Sequence, residues 1–348
     1  MDLASILGTE FPLIQAPMAG VQDSRMAIAV SEAGALGSLP AAMLGPQTLR
    51  EELAAMGVGT SRPFNVNFFC HPPPRADPQR ERQWQQLLAP YFAEFGVQRL
   101  GQPAAPARLP FDEPTAQLVA QFAPPIVSFH FGLPAAALLR QVRAWGARVL
   151  GSATTVKEAR WLEARGVDAI IAQGSEAGGH RGMFLTEDLG SQLGTLELLP
   201  RIVRAVRLPV IAAGGIADAA GIAAAMRLGA AGVQVGSAYL LCPEATTSAA
   251  HRRALQGEAG RVTAMTNLFT GRPARGIVNR LMRELGPMNS AVPDFPLAAV
   301  ALAPLRAQLE RRGSGDFSPL WAGENTRSCR EQPAAEVTRE LLRAFADT

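Results

Sequence analysis

The chain has 348 residues, 48% of them hydrophobic and 18% charged, which suits a globular enzyme and leaves room for one barrel of roughly 250 residues with about 100 to spare. A net charge of +3, a single lysine (Lys157) and no run of arginines argue against a nucleic-acid surface. Cys70, Cys242 and Cys329 stand far apart with no CxxC, so a zinc site or disulfide framework is not expected and a reducing cytoplasm fits. MDLASILGTEF lacks the marks of a signal peptide, and the apolar stretch 297–305 is too short for a bilayer.

Short apolar runs then alternate with amphipathic stretches. Residues 13–17 and 35–39 read as strands, with helices at 24–33 and 46–56; Pro46 opens the second, where its missing N–H is harmless. Residues 64–69 (FNVNFF) form a third strand, with Asn65 and Asn67 set apart from Val66 and Phe68. The fourth, 125–131, sets Ser128 and His130 opposite Val127, Phe129 and Phe131. A helix from Pro134, a strand at 148–151 and a helix at 156–165 follow.

The run from Ala169 to Ala172 stops at Gln173 and opens into a loop with Gly174, Gly178, Gly179 and Gly182 around His180. A run that short, bounded by glycine, reads as a buried strand. Val210 to Ala213 lead into Gly214 and Gly215, then a helix with Ala219, Ile222, Ala223 and Met226 on one face. Val233 to Val235 run into Gly236 and Ser237. Consecutive units of strand, turn and helix build a parallel sheet, and eight of them predict a closed (β/α)8 TIM barrel.

Two segments break the alternation. Residues 71–124 hold one helix near 80–94 and a Pro-rich stretch, and residues 259–322 read as irregular. Both are expected to cover the barrel mouth. The division expected is therefore a barrel of 1–70 and 123–258, a smaller second domain of 71–122 and 259–322 acting as a lid, and a segment 323–348 whose closing helix (333–346) packs on the barrel.

Polar residues near the C-terminal ends of barrel strands face the active site, which selects Asn67, His130 and His180; hydrogen-bonded core roles are the alternative for the first two. Glycine turns after the last two strands are where phosphates dock on main-chain N–H groups. Pro17, Met18 and Ala19 of QAPMAG offer a flat floor for a planar ring. His71, beside a Pro run, and His251, in an Arg-rich helix, read as structural. No HxxEH-type, GxSxG, Walker or GxGxxG motif is present, so a redox role requires a cofactor held by the barrel itself.

QAPMAG, FNVNFFCH, VSFHFG, AQGSEAGGHRG, AAGGI and VQVGSAYLLCPE, continuing through PDFP and SPLWAGEN to PAAEVTREL, resemble in order the motifs of class I nitronate monooxygenases, also called 2-nitropropane dioxygenases. The resemblance covers essentially the whole chain. It implies one non-covalent FMN, floored by Pro17, Met18 and Ala19. Asn67 and Gln173 would bond its polar edge, Gly178 and Gly179 would pass beside it, and the Gly214–Gly215 and Gly236–Ser237 turns would hold its phosphate. His180 is implied as the catalytic residue, with His130 and Phe295 near the substrate. The implied reaction is oxidation of an alkyl nitronate by oxygen to a carbonyl compound and nitrite, extending to nitroalkanes if His180 removes the α-proton. A cytoplasmic monomer or homodimer without nucleic-acid or membrane partners is expected.

An FMN-dependent NAD(P)H reductase of the same superfamily, acting on an enoyl thioester or quinone, is the alternative enzyme. A flavin- or phosphate-binding protein without catalysis is a third reading, against which the intact His180 loop argues. Two positions depart from the family pattern: Phe295 stands in PDFP where a tyrosine is usual, and Glu324 replaces a glutamine. The missing hydroxyl predicts weaker preference for a carboxylate-bearing nitronate, unless Arg272, Arg275 or Arg280 supplies an anion site.

Overall fold

In the computed structural model, which describes residues 2–98 and 108–346, the strands in chain order are β1 (Leu13–Gln15), β2 (Gly37–Pro40), β3 (Phe64–Phe69), β4 (Ile126–His130), β5 (Arg148–Ala153), β6 (Ala169–Gln173), β7 (Gly179–His180), β8 (Val210–Ala213), β9 (Gly232–Val235), β10 (Thr263–Thr266) and β11 (Ala274–Ile277). Eight of them form one parallel sheet in the order β1-β9-β8-β6-β5-β4-β3-β2. A bridge between Ile14 and Leu36, with Gln15 N–H and Leu36 N–H donating across it, joins β1 to β2 and closes the barrel. The fold is thus the (β/α)8 barrel that the alternation predicts. Its strands read as near-continuous apolar runs because both faces are covered.

Helices Ser24–Glu32, Pro46–Gly59, Ala136–Ala144, Val156–Ala164, Thr195–Val203 and Ala219–Arg227 pack outside the strands. The closing helix Ala334–Ala346 lies between the first and last of these and completes the ring. The barrel interior is plugged by a short helix, Leu3–Leu7, whose Leu3 and Leu7 pack with Ile14, Ile126, Leu150 and Ile211. Truncating either leucine to alanine should cost about 2–5 kcal/mol. Asp2 caps that helix by accepting from Ser5 N–H.

The segment 259–322 is more ordered than its sequence suggests. It contains β10, β11 and helices Arg280–Leu285 and Ala298–Arg311. The last helix accommodates Pro304 in its interior, and Ala298, Leu302, Leu305 and Leu309 bury one face of it. Helix Glu113–Ala120 also went unread, hidden behind the Pro-rich stretch, part of which lies outside the described residues. The expected helix near 80–94 runs Pro78–Phe95. Its Trp84, Leu88 and Phe92 share an apolar cluster with Leu281, Leu302 and Phe317, so the two insertions build one second core over the barrel mouth. β10, β11 and β7 form a small antiparallel sheet that ties this region to the His180 loop. No helix among the described residues is long and apolar enough to cross a membrane.

Candidate active site

A cavity with about 1250 Å³ of non-protein space, open to solvent, lies where the barrel strands end. Thirteen of the residues singled out from the sequence line it: Pro17, Met18, Ala19, Asn67, His130, Gln173, Gly178, Gly179, His180, Gly214, Gly215, Gly236 and Ser237; Phe295, Arg272, Arg275 and Arg280 are not in the lining. Phe295 stands just behind, its ring 5.2 Å from the His180 ring. Among the described residues no group of His, Cys, Asp or Glu side chains is arranged to hold a metal.

One half of the cavity is built from main chain. Gly214 and Gly215, after β8, have φ of 121° and 71°, a region that residues with a Cβ enter at a cost of about 1–2 kcal/mol. Among the described residues, no acceptor takes the N–H of Gly215, Gly236 or Ser237. Buried or half-buried N–H groups are normally paired, so these donors suit an anion such as a phosphate. Gly323 N–H donates to Ser237 Oγ at 2.9 Å and brings the C-terminal segment against the same turn. On the floor, Gln234 Oε1 is buried without a partner, an open acceptor for a ligand N–H. Met18 N–H is already engaged by Gln22 Oε1 at 3.0 Å, and Gln22 also bonds Gln15 and the Ser38 carbonyl, so the QAPMAG turn is held from below. Asn67 donates through Nδ2 to Ser128, which leaves its Oδ1 available.

The His180 loop is clamped at several points. Gln173 Nε2 donates to the His180 carbonyl at 3.0 Å, and its Oε1 accepts from Gly182 N–H at 2.7 Å. One Nε2 hydrogen and one Oε1 lone pair then remain for a ligand. His130 Nε2 donates to that same carbonyl at 3.1 Å, so His130 holds the loop as well as facing the cavity. Arg181, fully buried, donates to the carbonyls of Gly174 and Gln173 and to Gln192 Oε1. The buried Glu158 carboxylate accepts from Thr154, Phe184 N–H and Leu185 N–H, fixing the far side.

The other half of the cavity is built from side chains. The His180 ring sits among Phe69, Phe131, Phe295 and Trp321, with ring centroids 5.2–6.2 Å away. Among the described residues its one polar side-chain partner is Thr270, whose Oγ1 lies 2.9 Å from Nε2. Burial, then the nearby Arg108, His130 and Arg272, push the His180 pKa well below the usual histidine value, so the ring is neutral near pH 7. Burial also lowers His130 to about 4. Phe131 has φ of 67°, rare for a bulky residue. Contacts with His130, Phe69 and Phe295 hold it there. Such strain clusters at functional sites.

Two arginines stand at the mouth. Arg108 is buried, lines the cavity and has no carboxylate partner among the described residues. Arg272 lies 4.2 Å over the Phe131 ring and donates to the Met183 carbonyl. Arg275 instead pairs with Glu324 at 3.0 Å, and Arg280 with Glu94 and Glu284. Of the three arginines expected as anion donors, then, only Arg272 is without a carboxylate. The Glu324 that departs from the family pattern is an ion-pair partner of Arg275. His71, read from sequence as structural, is buried with its ring 4.8 Å from Phe295. Neither of its nitrogens has a partner of hydrogen-bonding geometry, although the ring is near enough to the Arg108 main chain to feel it; burial lowers its pKa to about 4. His251 lies outside the cavity lining, as expected.

Arg108, Thr270 and Trp321 were not found from the sequence. No spacing connects Thr270 to a histidine 90 positions earlier. Phe69 did leave a signal, since alternation along β3 puts it on the Asn65–Asn67 face.

The chain matches the family model described as nitronate monooxygenase over residues 2–344. It is 44% identical to a nitronate monooxygenase of Pseudomonas aeruginosa over 349 residues, covering 97% of each chain. Its structure is similar to that of a nitroalkane oxidase from Streptomyces ansochromogenes, with a TM-score of 0.89 and 37% identity over 99% of this chain and 98% of the other. It is also similar to FabK from Thermotoga maritima, with a TM-score of 0.74 and 26% identity over 99% and 96%.

Proposed function

The chain belongs to the nitronate monooxygenase family of oxidoreductases, and we propose that it oxidises alkyl nitronates, using non-covalent FMN and molecular oxygen, to a carbonyl compound and nitrite. The observation that carries this reading is the meeting of two features on one cavity: a cradle of unpaired N–H groups at Gly215, Gly236 and Ser237, and a neutral His180 in an aromatic wall.

The residues present fit FMN. The orphan N–H groups suit its phosphate, the Gln234 and Asn67 oxygens suit ring N–H groups, and Pro17, Met18 and Ala19 provide a face for the ring system. Bound there, FMN would supply the one-electron oxidising chemistry for the nitronate, with molecular oxygen as the terminal oxidant. The protein's part is binding and exclusion. Arg108 and Arg272 make the mouth positive and attract an anion. Phe69, Phe131, Phe295 and Trp321 keep water from the reacting carbon.

His180 orients the nitro group by hydrogen bonding. As a base for a neutral nitroalkane it is poorly matched, since its lowered pKa lies far from the operating pH. Nitronates, which arrive already deprotonated, are therefore the favoured substrates. Anaerobic mixing of the yellow protein with propionate-3-nitronate and, separately, NADH tests the assignment. Bleaching of the flavin by the nitronate is expected. Bleaching by NADH alone would make the chain a reductase, and a colourless protein that FMN cannot reconstitute would remove the cofactor.

A further inference from the structure

We infer that residues 322–327 form a strap that holds the phosphate cradle in shape, and that the Glu324–Arg275 ion pair is the latch that slows loss of the cofactor. The inference rests on the reading of the cradle as the seat of FMN. It makes Glu324 a positioning residue, acting on the cofactor through the main chain.

The strap leaves the small antiparallel sheet at Trp321, which bridges Gly276 of β11. It then runs along the cradle and touches both of its turns. Gly323 N–H donates to Ser237 Oγ at 2.9 Å, and Asn325 Nδ2 donates to the Gly215 carbonyl at 3.3 Å. Just beyond the strap, Cys329 Sγ donates to the Ser237 carbonyl at 3.0 Å. A main-chain N–H can only donate, so Ser237 Oγ is the acceptor from Gly323. Its own hydroxyl proton stays unspent, since among the described residues nothing accepts it. The strap thereby adds a side-chain donor to the N–H groups of the cradle.

On its inner side the strap lies directly on the loop that carries His180. A Cβ at Gly178 would come within 2.5 Å of Gly323 N, and one at Gly323 within 2.7 Å of the Glu176 carbonyl. Behind the strap is a second cavity, open to solvent, with about 1070 Å³ of non-protein space. Glu324, Asn325, Thr326 and Arg327 line that cavity, whereas Ala322, Gly323 and Asn325 line the first. The strap is therefore a partition with open space at its back, and its grip depends on its fastenings. Neutral bonds run from Glu324 N–H to the Glu176 carbonyl and from Thr326 Oγ1 to the Gly260 carbonyl. The one charged fastening among the described residues is the Glu324 carboxylate, 3.0 Å from Arg275 Nη2. Arg275 is a fixed post, its Nε donating to the Ser175 carbonyl at 2.7 Å and its Nη1 to Thr263 Oγ1 at 3.1 Å. The Arg275 side chain is 11% exposed and that of Glu324 50%, so salt reaches the pair and weakens it.

The test follows release of FMN from the diluted holoprotein by the rise of free-flavin fluorescence. At low salt, Glu324→Gln should release FMN roughly two- to fivefold faster than the parent, the size of a partly exposed ion pair, and Glu324→Lys faster still. Salt at about 1 M should bring the parent close to Glu324→Gln, whose own rate changes less. Arg25→Gln, which breaks an exposed ion pair bordering neither cavity, should release FMN at the parental rate. An unchanged rate in Glu324→Gln, or equal acceleration by salt in parent and variant, would overturn the inference. A faster release accompanied by a lower Tm of the stripped protein would assign Glu324 to general stability and overturn it as well. A stripped protein that takes up no FMN is a separate result, which removes the functional reading and the inference with it.

Discussion

The two halves of the cavity are made of different material. The cradle after β8 and β9 consists of glycines and main-chain N–H groups, whereas the opposite wall consists of Phe69, Arg108, His130, His180 and Trp321, with Phe131, Thr270, Arg272 and Phe295 packed behind it, from segments far apart in sequence. Main chain at the end of a barrel strand is fixed by the ladder beneath it, so it suits a constant cofactor. Side chains brought in by separate segments are free to vary, so they suit the choice of substrate. Substitutions in the two halves should therefore fail in different ways.

The largest effect is expected from the wall. His180→Asn should lower nitronate turnover roughly 10²–10³-fold, the range for removing one preorganised donor, while flavin content, read from visible absorbance, stays at the parental level. Loss of flavin together with turnover would show that the wall also holds the cofactor. Arg108→Gln comes next. It should reduce kcat/KM for propionate-3-nitronate by roughly tenfold or more and that for hexyl nitronate less, through KM in both cases. Equal losses on both substrates would mean that Arg108 provides structure and not an anion site.

On the cradle side, Gly215→Val should weaken FMN binding about 5–30-fold, since a left-handed residue with a Cβ costs about 1–2 kcal/mol and its Cβ would press on Glu176 at 3.3 Å. Titration of the stripped protein with FMN measures it. Turnover at saturating FMN should stay near parental if the halves are independent. The smallest contrast is expected from acid. His71, His130 and His251 have folded pKa values lowered to about 4 by burial, and burial holds His180 well below the ordinary histidine value too. The unfolded chain binds protons near the ordinary histidine value while the fold does not, so stability is full above about pH 6.5 and falls as pH drops toward 4. Tm should therefore decrease steadily between pH 6.5 and 4.5 for the parent, and less steeply for His251→Gln. A flat profile would mean that these rings protonate without resisting the fold.

The same division explains what was legible beforehand. The barrel and the cradle rest on local rules: short apolar runs, glycine after the strand, a helix behind it. Each of those rules holds within about ten residues, so Gly215, Gly236 and Ser237 were found where the structure places them. His180 was found because its own glycines surround it. The wall depends on contacts at long range. Arg108 follows a Pro-rich stretch, Thr270 sits on a turn of a segment read as irregular, and Trp321 arrives from beyond both insertions. Helix Ala298–Arg311 lies in a segment read as irregular, flanked by Pro- and Gly-rich stretches, although its buried face repeats at helical spacing.

The pairing of β7 with β11 has a mechanical consequence. Through that ladder, Gly179 and His180 are one edge of the inserted segment's own sheet, with Ala274 opposite His180 and Arg275 opposite Gly179. A cover fastened in this way has no hinge that leaves the reactive residue behind. Swinging it clear of the barrel would pull His180 off its Gln173 and His130 anchors, so an open protein is also a disarmed one. Ligands reach the site through the side of the cavity that is already open to solvent, with the cover left in place.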